Sequence, residues 1–494
     1  MEKIIIFGAG SDGLNTYHLI QYLSVFDVVG FADNNSKIQS CELIDGLIVY
    51  APGDLYGVDF DKILIASTYH QEIKSSLKVE HPELYEKLLE PQCLKAGLYA
   101  NQKPRFQKML TQVRAKNRIK VVFFVIHQST WKLDKLYQLM SADDYFEPVI
   151  LICPDSSNGG QGMISDMNKC HEHFVSKNYN SILSWQNDRW IDVNKALDPD
   201  IVFFTNPHNI TLPEYQISSF VDRLTCYYPY GYIISSYDDD VPQFNSYFHN
   251  LLWLFFTPCQ YNEKLSKRVA ANKGDNVRVV GYTFGETLLD NKQRRNGCEK
   301  KNIIYAPHHT ICESNTLAWS TFIKYGERIV TIFDQYRDRV DFYFKPHPLL
   351  KSRLYLHPEW GKDKTDAYYE SWGDRYISDD YVELFSNSDA LIHDCGSFLI
   401  EYMYLDKPMA YLIRDDEVRN RFNEIGQLAF DVALHVHSEE EIHSFIDDVL
   451  CDRDHKRLQR NKFINETVLR AELQTPSQNI IDVIKNEINA KISE

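Results

Sequence analysis

Short runs of apolar residues recur along the chain, and most are followed at once by a polar or glycine-containing turn. In the N-terminal part they lie at residues 4–7, 28–32 and 62–66, with amphipathic segments of helix length between them. Apolar runs of this size bounded by turns are typical of buried strands. Their alternation with helices predicts a parallel, Rossmann-like α/β domain over residues 1–98.

The same alternation resumes after residues 99–118, a basic segment without a strand signal that we interpret as a linker helix. Runs at 121–126, 148–152 and 201–204 predict strands of a second block, and runs at 301–305, 341–344, 390–393 and 409–412 predict strands of a third. The predicted fold class is therefore α/β, with two Rossmann-like halves in tandem after the N-terminal domain. Their predicted limits are 119–290 and 300–465, followed by a C-terminal helix or tail at 466–494.

Composition narrows the function classes. Of 494 residues, 44% are hydrophobic and 25% charged, as in ordinary globular proteins. The chain has 53 basic and 69 acidic residues, a net charge of -16, so it lacks the basic surface of a nucleic-acid binder. No apolar run is long enough for a signal peptide or a spanning helix, which predicts a cytoplasmic protein, with peripheral attachment at the inner face of the cell membrane as an alternative.

A glycine-rich turn follows the first predicted strand. Gly8, Gly10 and Gly13 form a G-x-G-x-x-G pattern before a helix, and Asp33 ends the next strand. Glycines there let a phosphate approach the backbone and the helix N-terminus, and the carboxylate suits a ribose hydroxyl. The turn predicts a nucleotide or nucleotide-sugar pocket, with a ligand-free packing turn as an equal alternative. An NAD-dependent oxidoreductase is disfavoured because no catalytic Tyr-x-x-x-Lys pattern follows.

The segment 30–35, Gly-Phe-Ala-Asp-Asn-Asn, adds a resemblance. This opening of the chain resembles the nucleotide-sugar-binding domain that begins bacterial sugar O- and N-acyltransferases. No hexapeptide repeat follows it, so the catalytic part of those enzymes is absent from the sequence.

The third block has histidines directly after two predicted strands. His308 and His309 follow the strand at 301–305, and Lys345 and His347 follow the next one. Because strand ends of an open α/β sheet face its ligand, these groups are candidates for binding an anion such as a phosphate. A metal site of His308, His309 and Cys312 is disfavoured, since adjacent positions rarely converge on one ion.

A further strand of this block ends in a polar turn that contains Asp394, Gly396 and Ser397. A helix is predicted to follow, and its Glu401 is a further candidate for binding the phosphate-containing ligand. Backbone N–H groups, the serine hydroxyl and the helix dipole would together suit a diphosphate. Three strand ends thus point to one anion-binding site.

These motifs, YAPHHT, FKPHP and SDALIHDCGSFLIEYMYLDKP, resemble those of the CDP-glycerol glycerophosphotransferase family, the teichoic-acid and capsule polymerases of GT-B fold. The resemblance spans about 119–465 and is stronger in its second half. It implies that Asp394, Gly396 and Ser397 bind the CDP diphosphate, with Cys395–Gly396 in place of one serine of the family pattern. It also implies catalysis by His347. His308, at the neighbouring strand end, is a further catalytic candidate.

One departure from the family concerns the general base. Family members carry a His-Gly turn in the N-terminal half, where this chain has Tyr230–Gly231. His208 and His127, each following a predicted buried strand, are the substitutes that the sequence offers.

The resemblance implies transfer of glycerol phosphate, or a related polyol phosphate, from a CDP-activated donor to a polymer or lipid-linked acceptor, with release of CMP. No cofactor or metal is expected. A GT-B glycosyltransferase that uses a nucleotide sugar would keep the same strand ends, and a non-catalytic nucleotide-sugar-binding scaffold is the other alternative.

Overall fold

A computed structural model describes residues 1–67, 69–89, 91–157, 160–292, 300–312, 317–378, 381–469 and 474–490. Its strands form three main sheets in chain order, in which neighbouring strands are parallel except for one pair. Parallel sheets need crossover helices on their faces, which explains the alternation of apolar runs and amphipathic segments.

The N-terminal unit is built on a five-stranded sheet of order β3-β4-β2-β1-β5, in which β3 and β4 are antiparallel. The order reverses at β1, so the ends of β1 and β5 lie side by side. Its elements are β1 (Lys3–Phe7), α1 (Ser11–Leu23), β2 (Asp27–Ala32), β3 (Glu42–Ile44), β4 (Leu47–Tyr50), β5 (Lys62–Ile65), α2 (His70–Glu80) and α3 (Pro82–Glu86).

A long helix, α4 (Pro91–Arg114), leads to the second unit. It begins and ends earlier than the linker helix predicted at 99–118. Leu94 and Leu98 on this helix are buried in a core that takes in strands of both the first and the second unit. The N-terminal unit is therefore packed against the second one.

The second unit contains a seven-stranded parallel sheet of order β14-β13-β12-β11-β6-β7-β8. The order reverses between β6 and β11. Its elements are β6 (Ile119–Val125), α5 (Asp134–Ala142), β7 (Phe146–Ile152), α6 (Gly160–Ser176), β8 (Ser181–Leu183), β9 (Trp185–Gln186), β10 (Arg189–Trp190), α7 (Val193–Ala196), β11 (Ile201–Phe204), β12 (Leu224–Tyr227), α8 (Val241–Phe244), α9 (Tyr247–Leu251), β13 (Leu254–Thr257), α10 (Gln260–Val269), β14 (Val277–Val279) and α11 (Thr283–Asp290).

The third unit has a five-stranded parallel sheet of order β16-β15-β17-β18-β19, which reverses between β15 and β17. The predicted boundary between the two halves, 290–300, lies largely outside the described residues. The elements are β15 (Lys301–Ala306), α12 (Phe322–Tyr336), β16 (Val340–Phe344), α13 (Leu350–Tyr355), α14 (Gly361–Trp372), α15 (Val382–Asn387), β17 (Ala390–His393), α16 (Phe398–Glu401), β18 (Met409–Leu412), α17 (Glu424–Asp431), β19 (Leu434–Val436), α18 (Glu439–Leu450), α19 (Arg457–Phe463) and α20 (Pro476–Asn489).

The last helix returns to the second unit. Ile480, Ile484 and Ile488 of α20 are fully buried in a core shared by the second and third units. Arg114 Nε donates to the carbonyl of Ile488 at 2.7 Å, and Lys485 pairs with Asp143 at 2.6 Å. The two larger units are thus joined by a crossing helix as well as by the connection between them.

The predicted fold class is confirmed. A Rossmann-like unit precedes two further Rossmann-like halves that enclose a cleft, the arrangement called GT-B. Within the described residues, the helices include none with the length and apolar character needed to cross a membrane.

The glycine turn after β1 offers a test of local packing. A Cβ at Gly13 would lie 1.9 Å from the carbonyl oxygen of Gly8, whereas one at Gly10 would have no atom within 4 Å. We expect Gly13→Ala to destabilise the protein by about 1–3 kcal/mol through overpacking and Gly10→Ala to leave stability nearly unchanged. Thermal unfolding of the two variants checks this, and equal melting temperatures would contradict it.

Candidate functional site

The carboxyl ends of the second and third sheets face each other across a cleft of about 1310 Å³. Residues that follow β6, β11 and β12 line one side, and residues that follow β15, β16 and β17 line the other. Ligands of open α/β sheets bind where the strand order reverses, because loops diverge there and leave a crevice. Both reversals open into this cleft.

Three histidines gather on the C-terminal side of the cleft. His308 and His309 follow β15 and His347 follows β16, and we call these residues the histidine cluster. The ring centres of His308 and His309 are 4.3 Å apart, those of His309 and His347 are 4.1 Å apart, and those of His308 and His347 are 5.1 Å apart. The structure therefore brings together three of the predicted site residues.

The histidine cluster is uncharged near neutral pH. Burial, together with the neighbouring His309 and Lys345, lowers the pKa of His347 to about 3. Burial, assisted by Arg353, lowers the pKa of His309 to about 4, and burial also holds the pKa of His308 well below its usual value.

Backbone donors fix the tautomers of two of these rings. The N–H of Thr310 points at Nδ1 of His308 at 3.3 Å, and the N–H of Leu349 donates to Nδ1 of His347 at 3.1 Å. A neutral imidazole that accepts at Nδ1 carries its proton on Nε2. Each ring therefore has an Nε2–H group to donate.

One nitrogen from each of the three rings lies within 4.8 Å of the others, a spacing within which a metal ion fits. Metal ligation needs an unprotonated nitrogen, with the second ring nitrogen donating to the protein. His308 and His347 show the opposite pattern, since their Nδ1 atoms accept. This donor set suits an anion better than a cation.

Lys345 supplies the positive charge of this wall. The side chain follows β16, is 4% exposed, and donates from Nζ to the carbonyl of Ser378 at 3.1 Å. It also lies 5.9 Å from the ring centre of Tyr381. Its amino group is thereby fixed beside the histidine cluster.

Asp394 holds the loops of the cleft in place. It is fully buried, and its carboxylate accepts from the N–H of His308 at 2.5 Å and from the hydroxyl of Thr321 at 2.8 Å. Burial raises its pKa to about 6, against the opposing effect of these donors. A carboxylate so engaged positions the loop of His308, and the sequence interpretation as a direct phosphate contact does not follow from this geometry.

Gly396 and Ser397 come next in the same turn. A Cβ at Gly396 would lie 2.7 Å from the ring of Trp319, so the turn needs glycine there. Ser397 faces the opposite half, since a Cβ at Gly231 would be 3.7 Å from its Cβ. The predicted helix is short: α16 has four residues and continues as a 3-10 turn, Tyr402–Leu405.

Glu401 lies between two tyrosine hydroxyls. One carboxylate oxygen accepts from Tyr282 at 2.5 Å and the other from Tyr381 at 2.7 Å. Tyr282 precedes α11 of the second unit, so this buried carboxylate connects the two halves. Its place is structural support at the base of the cleft.

Lys132 is a cleft residue that the sequence interpretation missed. It belongs to the second unit, is 8% exposed, and donates from Nζ to the Tyr381 hydroxyl at 3.0 Å across the cleft. Its ammonium also lies 3.9 Å from the ring centre of Phe284. The available signal was a lysine between two apolar residues, Trp131 and Leu133, in the loop after a strand.

Two histidines line the N-terminal side of the cleft. His208, after β11, is exposed, its pKa is lowered by desolvation between the cleft walls, and its Nε2 lies 3.4 Å from the Tyr230 hydroxyl. His127, after β6, pairs through Nε2 with Oδ2 of Asp155 at 3.1 Å. The sequence analysis did not single out Asp155, which follows β7 in a short polar turn.

The N-terminal glycine turn lies away from this cleft. A Cβ at Gly8 would meet the Ala66 carbonyl oxygen at 2.4 Å, so Gly8, like Gly13, is required by packing. Asp33 accepts from the N–H of Ala9 at 2.9 Å and from that of Asn35 at 2.8 Å. Gly10 is exposed and has open space around it. Nucleotide binding at this turn stays a prediction.

The two ends of the chain match the sequence models of different protein families. Residues 1–83 match the sequence model of the family described as C2185-like, N-terminal. Residues 289–484 match that of CDP-Glycerol:Poly(glycerophosphate) glycerophosphotransferase. This C-terminal part is similar to the glycerophosphotransferase family. The resemblance found in its motifs is thereby confirmed.

The chain is also similar to solved structures of low identity. The wall teichoic acid polymerase TagF is 14% identical, with a TM-score of 0.49 over 86% of this chain and 98% of that one. The UDP-GlcNAc 2-epimerase of Methanocaldococcus jannaschii is 14% identical, with a TM-score of 0.46 over 74% of this chain and 99% of that one. No curated protein matches the sequence.

The glycerophosphotransferase match contains the whole C-terminal wall of the cleft, including the histidine cluster, Lys345 and Ser397. It does not reach the opposite wall, where His127, His208 and Lys132 lie. The family match thus covers one side of the cleft, and the other side is interpreted from its geometry.

Substitution of His393, at the end of β17, tests how a buried histidine affects the free energy of unfolding of this protein. It is fully buried against the ring of Tyr411, and burial lowers its pKa to about 3. The unfolded chain takes up this proton below a pH of about 6.5, so the folded state loses stability as pH falls from there, by up to about 1.4 kcal/mol per pH unit. We expect His393→Leu to remove this contribution.

The measurement is the melting temperature of parent and His393→Leu at pH 7.5 and pH 5.0. The difference between the two proteins should shift in favour of the variant at the lower pH. A constant difference would show that His393 titrates alike in the folded and unfolded chains.

Proposed function

We propose that the protein transfers glycerol phosphate, or a related polyol phosphate, from a CDP-activated donor to an acceptor hydroxyl and releases CMP. The observation that carries the proposal is that the glycerophosphotransferase match includes the histidine cluster, which the fold places at a strand-order reversal facing the cleft. The acceptor in this proposal is a cell-surface polymer or its lipid-linked precursor.

The C-terminal wall is the donor side. The Nε2–H groups of His308 and His347 and the ammonium of Lys345 provide hydrogen bonds and charge for diphosphate oxygens. The Ser397 hydroxyl and the backbone of the preceding glycine add donors beside them. His309 completes the wall between the two rings that present N–H groups.

In the transfer step, the acceptor oxygen attacks the β-phosphorus and the bond from that phosphorus to the CMP oxygen breaks. Donors fixed before the reaction stabilise the charge that develops on the phosphoryl oxygens, because they need no reorganisation at that moment. In this proposal Lys345 and the imidazole N–H groups do this work, and no metal ion takes part. His347 is the catalytic histidine of this wall.

Asp394 and Glu401 support the donor side without contacting the donor. Asp394 holds the His308 loop through its backbone N–H, and Glu401 orients Tyr381. Buried carboxylates that are hydrogen-bonded in this way fix geometry because leaving their partners unpaired is costly. Their loss would therefore affect both folding and activity.

The test is CMP release from CDP-glycerol in the presence of a teichoic-acid or capsule-type polymer. We expect the parent to release CMP and His347→Ala to lose roughly 10²- to 10³-fold in kcat, the range for removal of one charge-stabilising donor. Chelation with EDTA should leave the parent's rate unchanged.

A matched control is His357→Ala. His357 also precedes a proline in the same unit but does not line the cleft, so its loss should leave the rate unchanged. Thermal shifts with CDP, UDP and GDP give an independent readout, because a ligand that binds the folded state raises its melting temperature. Stabilisation by UDP or GDP alone, without CMP release, would overturn the proposal in favour of a nucleotide-sugar transferase.

A further inference from the structure

The N-terminal wall of the cleft contains a histidine paired with a carboxylate. His127 follows β6 and Asp155 follows its parallel neighbour β7. Parallel neighbours end at the same sheet edge, so the two side chains meet there although 28 positions separate them in the sequence. β6 is also one of the two strands at which the strand order of this sheet reverses.

The carboxylate of Asp155 is held in one orientation. It is 8% exposed, and its Oδ1 accepts from both the N–H and the hydroxyl of Ser157, at 2.9 and 2.5 Å. Its Oδ2 is 3.1 Å from Nε2 of His127. A carboxylate that is fixed by one oxygen and faces a ring nitrogen with the other favours the tautomer that carries its proton on that nitrogen.

This pairing leaves the lone pair of His127 on Nδ1. Its Nε2 faces the Asp155 carboxylate at 3.1 Å, and among the described residues no group forms a hydrogen bond with Nδ1. The side chain is 34% exposed and lines the cleft. His127 therefore has an unprotonated nitrogen at the cleft, whereas His308 and His347 on the opposite wall have N–H groups to offer.

His208 lacks such support. It is exposed, and its nearest polar partner is the Tyr230 hydroxyl at 3.4 Å, beyond a good hydrogen bond. No carboxylate among the described residues pairs with it. Of the two substitutes for the family's His-Gly turn, only His127 has the orienting group that a general base needs.

We propose that His127 is the general base for the acceptor hydroxyl and that Asp155 is its positioning residue, an inference that rests on the proposed function. Nδ1 of His127 takes the hydroxyl proton as the acceptor oxygen bonds to the β-phosphorus. The bond from that phosphorus to the CMP oxygen breaks, and CMP leaves with the electron pair. The imidazolium, stabilised by Asp155, then releases its proton to water.

The experiment measures CMP release by His127→Gln, His127→Ala and Asp155→Asn under saturating CDP-glycerol. General-base catalysis contributes roughly 10²- to 10⁴-fold, so we expect losses of that size in kcat for both His127 variants. The affinity for CDP, measured by thermal shift, should stay within about twofold of the parent, because CDP binds the other wall. That shift also shows that each variant is folded.

Two further readouts separate catalysis from structural support. Added imidazole should restore part of the activity of His127→Ala, which a packing defect would not allow. Asp155→Asn should lower kcat with little change in KM, and the double variant with His127→Ala should be no slower than His127→Ala alone, because the aspartate acts through the histidine.

His171→Gln is the matched control. His171 lies on α6 of the same unit, bonds Ser181 at 3.0 Å and does not line the cleft, so the rate should be unchanged. His208→Gln tests the rival base. Retained activity in His127→Gln, or a loss in His208→Gln that imidazole rescues in His208→Ala, would overturn the inference.

The activity of the parent protein distinguishes failure of the proposed function from failure of the base assignment. If it releases no CMP and is not stabilised by CDP, the proposed function fails, and the base assignment fails with it. If the parent turns over and both His127 variants do too, the proposed function stands and only the base assignment is wrong.

Discussion

The order of strands in the two larger sheets reverses between β6 and β11 and between β15 and β17, and the chemistry of the cleft depends on those two reversals. A parallel sheet places all its carboxyl ends at one edge, and a reversal sends the following loops apart. Side chains from distant parts of the chain can then meet in the crevice. The histidine cluster arises in this way on one wall, and the pair of His127 and Asp155 on the other.

Buried carboxylates hold these loops in place through hydrogen bonds. The turn after β15 has no regular partner for the N–H of His308, and Asp394 supplies one from the end of β17. A carboxylate in a fully buried position is costly unless it is hydrogen-bonded, and the rise of its pKa to about 6 reflects that cost. Glu401 plays the same part between the halves, where Tyr282 and Tyr381 satisfy both of its oxygens. Hydrogen-bonded carboxylates therefore hold the base of the cleft together.

Much of the fold and part of the site were predictable from the sequence, for a local reason. A buried strand needs a run of apolar residues, and the polar residue after it must lie at the sheet edge, so the positions of His308, His347 and Ser397 follow from pattern alone. The motifs that resemble the glycerophosphotransferase family lie at these same strand ends.

The sequence analysis missed some site residues because contacts between segments far apart in the chain bring them to the cleft. Lys132 belongs to the site because Tyr381 of the other unit reaches it, and Asp155 because β7 lies beside β6. The return of α20 to the second unit likewise follows from burial of its isoleucines and not from any local signal. The length of α16 was misjudged because its sequence is helical in pattern, while the turn into β18 ends it after four residues and a 3-10 segment.

Under the proposed function, binding of the donor would change the charge of the cleft. With uncharged imidazoles in the histidine cluster, Lys345 is the cation fixed on that wall, yet a diphosphate brings at least two negative charges. Negative charge close to an imidazole favours its protonated form, so a bound diphosphate opposes the desolvation that lowers the pKa of His347. A cluster that is neutral avoids the repulsion of fixed cations in the free protein and still offers N–H groups to an anion.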